Sequence, residues 1–82
     1  LMASVTLDAL AMETGGELIG DSVSLGRLAV DSRRVGRGDL FAAINGIKVD
    51  GHSFAPHALR AGAAALVTER KLEGLMPQLV VE

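Results

Sequence analysis

The chain has 82 residues, enough for one small domain that buries about 60–65% of the surface its unfolded form exposes. Its 49% hydrophobic and 22% charged residues lie in the globular range and exclude an intrinsically disordered chain. A net charge of −2, with two phenylalanines and neither tyrosine nor tryptophan, disfavours binding to nucleic acid. The absence of cysteine excludes disulfide bonds and thiolate chemistry.

The sequence also carries no targeting signal that we recognise. No apolar run approaches the roughly 18 residues of a membrane-spanning helix, and the first residues lack the basic and apolar regions of a signal peptide. We therefore expect a cytoplasmic protein without a membrane span. The last predicted strand reaches the final residues, so we also expect this domain to belong to a longer chain. Phe41 and Phe54 are expected to be the largest residues of its core.

The first part of the chain predicts a helix followed by an edge strand. Apolar residues recur at helical spacing over residues 5–14. Thr6 is a suitable N-cap, and Gly15 is a residue type that ends helices in the left-handed conformation. Residues 17–19 then predict a short strand at the edge of a sheet.

The second part predicts a strand–helix–strand unit. The other predicted elements are strands at residues 28–31, 40–44, 64–68 and 78–81, and a helix capped by Ser53 and ending at Arg60. The apolar run at 40–44 is typical of a strand buried on both faces. A strand–helix–strand order favours parallel pairing with a right-handed crossover. We therefore predict one α/β domain, with a mostly parallel or mixed sheet of about four or five short strands flanked by two main helices.

Several familiar catalytic patterns are missing from the sequence. It contains no G-x-x-x-x-G-K-[ST] element for ATP and no G-x-G-x-x-G element for a dinucleotide. His52 and His57 are five residues apart and lie on different faces of a helix, and no carboxylate cluster completes a metal site. No nucleophile with an adjacent base follows from the spacing either. We therefore predict neither a catalytic residue nor a metal site in this chain.

Polar side chains gather where two predicted strands end, within residues 30–52. Ligands of open α/β sheets bind outside the carboxyl ends of the strands, and Ser32 and the loop 46–52 follow two such ends. A hydroxyl and loop amides suit a base or a ribose, and cationic donors suit a phosphate. The donors in this region are Arg33, Lys48 and His52. The residues alone thus predict an anion or nucleotide pocket.

Each of these polar residues also has a purely structural interpretation. Asp31 would brace its loop through backbone amides, and Arg33 would pair with Asp31 or Asp39 at the surface, a contact worth little. Asp50 would form a local side-chain turn, and His52 would be a hydrogen-bonded, half-buried histidine. The residues alone leave these alternatives open.

The order of motifs in this region carries a family resemblance. D-S-R at residues 31–33, G-D-L-F at 38–41 and D-G-H at 50–52 are followed by A-L-R-A-G-A-A-A-L-V at 58–67. This pattern resembles the amino-terminal domain of the Mur ligases, which extend the peptidoglycan stem peptide, and it covers residues 7–82. The opening A-M-E-T-G-G-E-L-I-G-D is more similar to the members that add D-alanyl-D-alanine than to those that add diaminopimelate or lysine.

The resemblance implies a domain for substrate recognition in peptidoglycan and cell-wall synthesis. The whole enzyme would join D-Ala-D-Ala to UDP-N-acetylmuramoyl-tripeptide, using ATP and Mg²⁺ through an acyl phosphate. ATP would bind to a central domain and the incoming dipeptide to a carboxyl-terminal domain, and neither domain is in this chain. Residues 1–82 would hold the UDP end of the substrate and contact the central domain.

By motif position, the resemblance assigns uridine contacts to both loops. They fall on Val30, Ser32, Ile47, Lys48 and Val49, and we add Arg33, Asp50 and His52 of the same loops as candidate contacts. Two alternatives stay open. One is the related ligase that adds diaminopimelate or lysine, and the other is a non-enzymatic α/β regulatory or interaction domain without nucleotide affinity.

Overall fold

The chain is described for residues 5–43 and 51–81 by a computed structural model, whose main feature is a mixed five-stranded sheet. The strands are β1 (Val5–Thr6), β2 (Glu17–Ile19), β3 (Ser24–Leu25), β4 (Leu28–Ala29), β5 (Leu40–Ala43), β6 (Ala65–Thr68) and β7 (Gln78–Val80). The helices are α1 (Leu7–Thr14) and α2 (Ala55–Arg60). Neither helix is long and apolar enough to cross a membrane.

The sheet has the strand order β2-β7-β6-β5-β4. The pairs β4–β5, β5–β6 and β6–β7 are parallel, whereas β2 pairs antiparallel with β7 at one edge. The predicted parallel pairing of the two strands around the second helix is therefore confirmed, as is the edge position of residues 17–19. The small α/β fold with a mixed sheet and two helices is also as predicted.

The first helix begins and ends at the predicted residues. Thr6 is the extended N-cap residue, and Gly15 ends the helix at φ 71°, where its N–H donates to the Ala11 carbonyl at 2.9 Å. The Thr6 hydroxyl does not cap the helix but donates to the Asp8 carboxylate. The Asp8 N–H instead donates to the Ser22 hydroxyl at 3.0 Å. A residue beyond β2 thus satisfies an amide of the first helical turn.

Two predicted element boundaries are wrong. The strand predicted at 28–31 ends at Ala29, because the Asp31 carboxylate accepts the Arg33 N–H and starts a 3₁₀ turn over Ser32–Arg34. Ser53 is not an N-cap, because it lies inside a second 3₁₀ turn, Gly51–Phe54, and Phe54 precedes the first residue of α2. Pro56 does lie in the first turn of the helix, as predicted.

The structure adds a two-stranded sheet that the sequence did not predict. In it, β1 pairs antiparallel with β3, with Val5 opposite Leu25. The predicted strand 40–44 is observed as Leu40–Ala43, and Ile44 lies outside the described residues. The predicted loop at residues 45–50 lies outside them as well.

Each face of the main sheet packs on one helix. Successive residues of a strand face opposite sides, so Phe41 joins the cluster under α2, with Leu66, while Leu40 joins the cluster under α1, with Leu7. Phe54 is 40% exposed, so the prediction that it would be a major core residue is wrong. Leucines beside Phe41 supply the bulk of the core.

The face that packs on α1 is only partly covered. A groove of about 710 Å³ lies beside the helix, with a lining that is mainly aliphatic. Its lining includes Leu28 and Val5, which are 60% and 55% exposed. An aliphatic lining offers few partners to a phosphate, so this groove does not fit the anion pocket predicted from the sequence.

Candidate functional site

Four of the eight predicted site residues lie in the described part of the chain. Val30, Ser32 and Arg33 follow β4, and His52 lies in the 3₁₀ turn before α2. The other four, Ile47, Lys48, Val49 and Asp50, lie outside the described residues. Because β4, β5 and β6 are parallel neighbours, their carboxyl ends share one edge of the sheet.

Two groups of predicted residues flank the carboxyl end of β5 at this edge. Val30 is 71% exposed, Ser32 is half-buried, and both directly follow β4 on one side. On the other side, His52 contacts Glu69, the first residue after β6. The described parts of the two predicted site regions, residues 30–33 and His52, therefore lie on either side of the end of β5.

Asp31 and Arg33 form a two-point ion pair at the start of the first 3₁₀ turn. Asp31 Oδ1 accepts the Arg33 backbone N–H at 2.9 Å and Nε at 3.1 Å, and Oδ2 accepts Nη2 at 3.0 Å. The structural interpretation of Asp31 as a loop brace is confirmed. Arg33 is paired with Asp31 and not with Asp39, and its side chain is 86% exposed. Nη1 is not used by this carboxylate, so it remains a donor at the surface.

The ion pair with Arg33 lowers the pKa of Asp31, and this shift can be measured. Hydrogen bonds from the Arg33 side chain, and then from its backbone N–H, lower the pKa of Asp31 from 3.8 to about 2. We expect Arg33→Met to raise the Asp31 pKa towards 3.8 but not fully to it, because the backbone N–H still donates. A carboxyl NMR titration of both proteins measures this, with Asp39 as the internal control.

The sign of the accompanying stability change follows from the direction of the shift. A carboxyl whose pKa is lower in the folded state stabilises the fold above its unfolded pKa of 3.8. This contribution of Asp31 is lost as the pH falls from 3.8 through about 2. An Asp31 titration midpoint near 3.8 in the unsubstituted protein would contradict the observed pairing.

Asp39 occupies the opposite end of the connection between β4 and β5. It is only 4% exposed, and its Oδ2 accepts the Gly36 N–H at 2.9 Å and Arg27 Nη2 at 3.0 Å. The Gly36 N–H, and then the Arg27 side chain, lower the pKa of Asp39. Arg27 Nη2 also donates to the Arg34 carbonyl at 3.2 Å. The sequence interpretation did not pair Arg27 with Asp39.

A sequence signal for this pair did exist. Arg27 and Asp39 each directly precede a strand, and the parallel register places Leu28 opposite Leu40. Residues that precede two parallel neighbours in register lie side by side at the amino ends of the strands. Opposite charges at those two positions are the signal, and they indicate a contact once this register is known.

His52 is more deeply buried than the sequence suggested. It is 3% exposed, and its Nε2 accepts the Glu69 N–H at 3.0 Å, while Nδ1 lies 3.2 Å from Nη1 of Arg70. A backbone N–H is always a donor, so Nε2 acts here as an acceptor and carries no proton. This ring nitrogen does not act as a phosphate donor in the observed contact. His52 fastens the turn before α2 to the end of β6.

The described residues contain no cluster that suits metal catalysis. Over residues 5–43 and 51–81, no group of three or more His, Cys, Asp or Glu side chains is arranged to hold a metal ion. What the sheet edge does offer is an exposed aliphatic side chain, a hydroxyl and a fixed guanidinium, from Val30, Ser32 and Arg33. This combination of groups suits binding of a polar ligand with an apolar ring face.

Comparison with known proteins gives consistent results for sequence and structure. The D-alanyl-D-alanine-adding UDP-N-acetylmuramoyl-tripeptide ligase of Escherichia coli (strain K12) is 41% identical over 81 residues, which are 99% of this chain and 18% of that protein. The UDP-N-acetylmuramoyl-L-alanyl-D-glutamate–2,6-diaminopimelate ligase of Geobacillus kaustophilus (strain HTA426) is 50% identical over 54 residues, 66% of this chain and 11% of that protein. A crystal structure of MurF from Acinetobacter baumannii superposes with a TM-score of 0.84 at 28% identity, covering 98% of this chain and 18% of that chain.

The chain thus spans less than a fifth of the length of these relatives, 18% at most. A family model described as "Mur ligase family, catalytic domain" matches residues 26–80, which include both predicted site loops. This match covers more than half of the chain and agrees with the relatives in sequence and in fold. The chain belongs to the Mur ligase family.

Proposed function

We propose that this domain binds the UDP part of a UDP-N-acetylmuramoyl-peptide in an ATP-dependent ligase that adds D-alanyl-D-alanine during peptidoglycan synthesis. One observation carries the proposal. The exposed Val30, the half-buried Ser32 and the guanidinium of Arg33 lie close together in sequence after the carboxyl end of β4, in a chain that is similar to such a ligase over 99% of its length. The carboxyl edge of parallel strands is the usual ligand site of open α/β sheets.

The proposed contacts divide the ligand by its chemistry. Val30 offers an aliphatic surface to the face of the uracil ring, and the Ser32 hydroxyl hydrogen-bonds to the base or the ribose. Arg33 and Lys48 face the pyrophosphate, where a guanidinium and an ammonium both serve as donors. Ile47, Val49 and Asp50 complete the site in the loop that follows β5. His52 holds the 3₁₀ turn before α2 through the hydrogen bond that it accepts from the Glu69 N–H.

This role is recognition of the substrate and involves no bond-making step. Contacts to the non-reacting UDP end fix the orientation of the distant carboxylate that reacts. ATP and Mg²⁺ are used elsewhere in the enzyme, in a central domain that follows this one and docks on it. The chain itself has no phosphate-binding G-x-x-x-x-G-K-[ST] element, which supports this division of labour.

The proposal is tested by titrating the protein with UDP and with UMP and following the amide NMR signals. We expect shifts at residues 30–33 and 47–52. Ser32→Ala and Lys48→Ala should each weaken UDP binding about three- to tenfold, which corresponds to one lost hydrogen bond. Lys48→Ala should affect UMP less than UDP, because UMP lacks the second phosphate.

Ser24→Ala is the matched control, since Ser24 is an exposed serine on β3 outside the predicted site. It should bind UDP as the unsubstituted protein does. Unchanged affinity in both Ser32→Ala and Lys48→Ala would overturn the site assignment. The absence of any shift at millimolar UDP would contradict UDP binding by this domain and favour a non-enzymatic interaction domain.

A second candidate function is favoured by the diaminopimelate-adding relative. Its identity is higher, at 50%, but it matches only 66% of this chain, and the amino-terminal helix and edge strand contribute to the longer match. We therefore prefer the D-alanyl-D-alanine ligase. Both candidates use a UDP-linked muramoyl peptide, so the UDP titration does not separate them. Assay of the whole enzyme with D-alanyl-D-alanine and with diaminopimelate does.

A further inference from the structure

We propose that Arg27 and Asp39 are positioning residues for the nucleotide site, although both lie at the amino ends of the strands and the site lies at the carboxyl ends. The inference rests on the proposed UDP-binding function. Arg27 and Asp39 precede β4 and β5, whereas Ser32 and Arg33 follow β4. The connection between these two parallel strands therefore runs from the carboxyl end of β4, where the site lies, back to the amino end of β5, where Asp39 lies.

The end of the connection next to β5 is held by backbone hydrogen bonds on two sides. Towards the β3–β4 linker, the Gly26 N–H donates to the Gly38 carbonyl at 2.8 Å, and the Leu40 N–H donates to the Arg27 carbonyl at 2.9 Å. Towards the α2–β6 turn, the Gly38 N–H donates to the Gly62 carbonyl at 2.9 Å. On the same side the Asp39 carbonyl accepts the Ala64 N–H at 2.7 Å. These hydrogen bonds hold residues 38–40 on two sides, and we call this segment the base of the connection.

Two side chains extend this base to the segment that carries the site. The buried Asp39 carboxylate accepts the Gly36 N–H, and Arg27 donates both to Asp39 and to the Arg34 carbonyl. Arg34 is the last residue of the 3₁₀ turn that begins at Ser32, and its own N–H donates to the Asp31 carbonyl at 2.9 Å. The turn is therefore connected to the base at its final peptide unit.

This arrangement fits positioning better than a general contribution to stability. The Arg27 side chain is 70% exposed, so its removal uncovers little apolar surface. Val35 packs against the core under α2 and keeps the middle of the connection on the sheet without Arg27. Loss of Arg27 should therefore leave the fold intact and shift the turn, and a displacement of about 1 Å suffices to weaken a positioned contact strongly.

The test compares Arg27→Met with Arg27→Lys and with Arg37→Met in the same 82-residue protein. Arg37 is an exposed arginine of the same connection and serves as the matched control. We expect Arg27→Met to weaken UDP binding about two- to thirtyfold, the range for substitutions that do not touch the ligand. Arg27→Lys should recover part of the affinity, because lysine keeps a cationic donor at this position without the guanidinium that joins Asp39 to the Arg34 carbonyl. Arg37→Met should bind normally.

A second readout does not depend on UDP. In the free protein, Arg27→Met should shift the amide signals of Ser32 and Arg34 while the protein stays folded at the temperature of the measurement. Its melting temperature should fall below that of the Arg37→Met control, because the buried Asp39 carboxylate loses its charged partner. Signals of Ser32 and Arg34 that stay in place would overturn the positioning role. So would an affinity loss fully accounted for by a larger unfolded fraction.

The two readouts separate this inference from the function it rests on. If the unsubstituted protein does not bind UDP, the proposed function fails, while the amide shifts in the free protein still decide whether Arg27 orders the turn. If UDP binds and Arg27→Met binds it as tightly as Arg37→Met does, only the positioning role is overturned.

Discussion

Gln78→Leu is expected to lower the free energy of unfolding by about 4 kcal/mol, a large part of the stability of a domain of this size. Gln78 is fully buried in β7, and its amide holds the segment between β6 and β7. Nε2 donates to the Leu72 and Leu75 carbonyls at 2.7 and 2.6 Å, and Oε1 accepts the Leu72 N–H at 2.9 Å. Leucine fills a similar volume but leaves these three backbone groups without their partner.

Urea unfolding followed by circular dichroism measures this loss. Thr68→Val provides a milder companion, because the Thr68 hydroxyl donates to Gln78 Oε1 at 3.2 Å, and its removal should cost about 1 kcal/mol. Glu73→Gln, at an exposed position of the same segment, is the control and should stay within about 0.5 kcal/mol. If Gln78→Leu unfolded at the same urea concentration as the control, the amide would have no role in holding the segment.

Gly16→Ala is expected to destabilise the domain by about 3 kcal/mol. A Cβ atom at Gly16 would lie 2.7 Å from the Val80 carbonyl oxygen, 2.9 Å from Leu79 Cδ1 and 3.0 Å from Val81 Cγ1. The closest of these atoms belongs to the backbone of β7, opposite Glu17 of β2, so it cannot move without opening the edge pair. The added methyl group therefore separates β2 from β7.

Thermal and urea unfolding measure this cost as well, and Gly36→Ala is the matched control. The nearest side-chain atom to a Cβ at Gly36 is Asp39 Oδ2 at 3.8 Å, an ordinary contact. That variant should change stability by no more than about 1 kcal/mol, since alanine also restricts the unfolded chain. Equal stabilities of the two alanine variants would show that β2 yields to the methyl group at Gly16.

The elements that the sequence predicted well are those with strong local signals. Helix α1 has an apolar face and a glycine at its end, and β5 and β6 are continuous apolar runs. The pair of β1 with β3 was missed because strands of two residues show no alternation. Ser53 is a residue type that often caps helices, but it lies in a 3₁₀ turn in which the buried His52 accepts a hydrogen bond from Glu69. This tertiary contact outweighs the local preference of Ser53 for a capping position.

The sequence predicts candidate site residues that follow the end of a strand. It does not predict side-chain pairs that depend on the register between two strands. Ser32 and Arg33 were predicted as candidates because they follow a predicted strand, and the structure places both after β4. The pairing of Arg33 with Asp31 was one of two alternatives, and the geometry selected it. The pair of Arg27 with Asp39 requires knowing that Leu28 lies opposite Leu40, which periodicity alone does not reveal.

The antiparallel pair of β2 with β7 also has a consequence for the order of assembly. Direct pairing of these strands in an unfolded chain closes a loop over residues 20–77, whereas a preformed β4–β7 sheet leaves only residues 20–27 to be spanned. The second loop is about seven times shorter than the first, which lowers the entropic cost of closing it by about 2 kcal/mol. This difference favours an order in which the parallel strands around α2 form first and the α1–β2 unit pairs with β7 last.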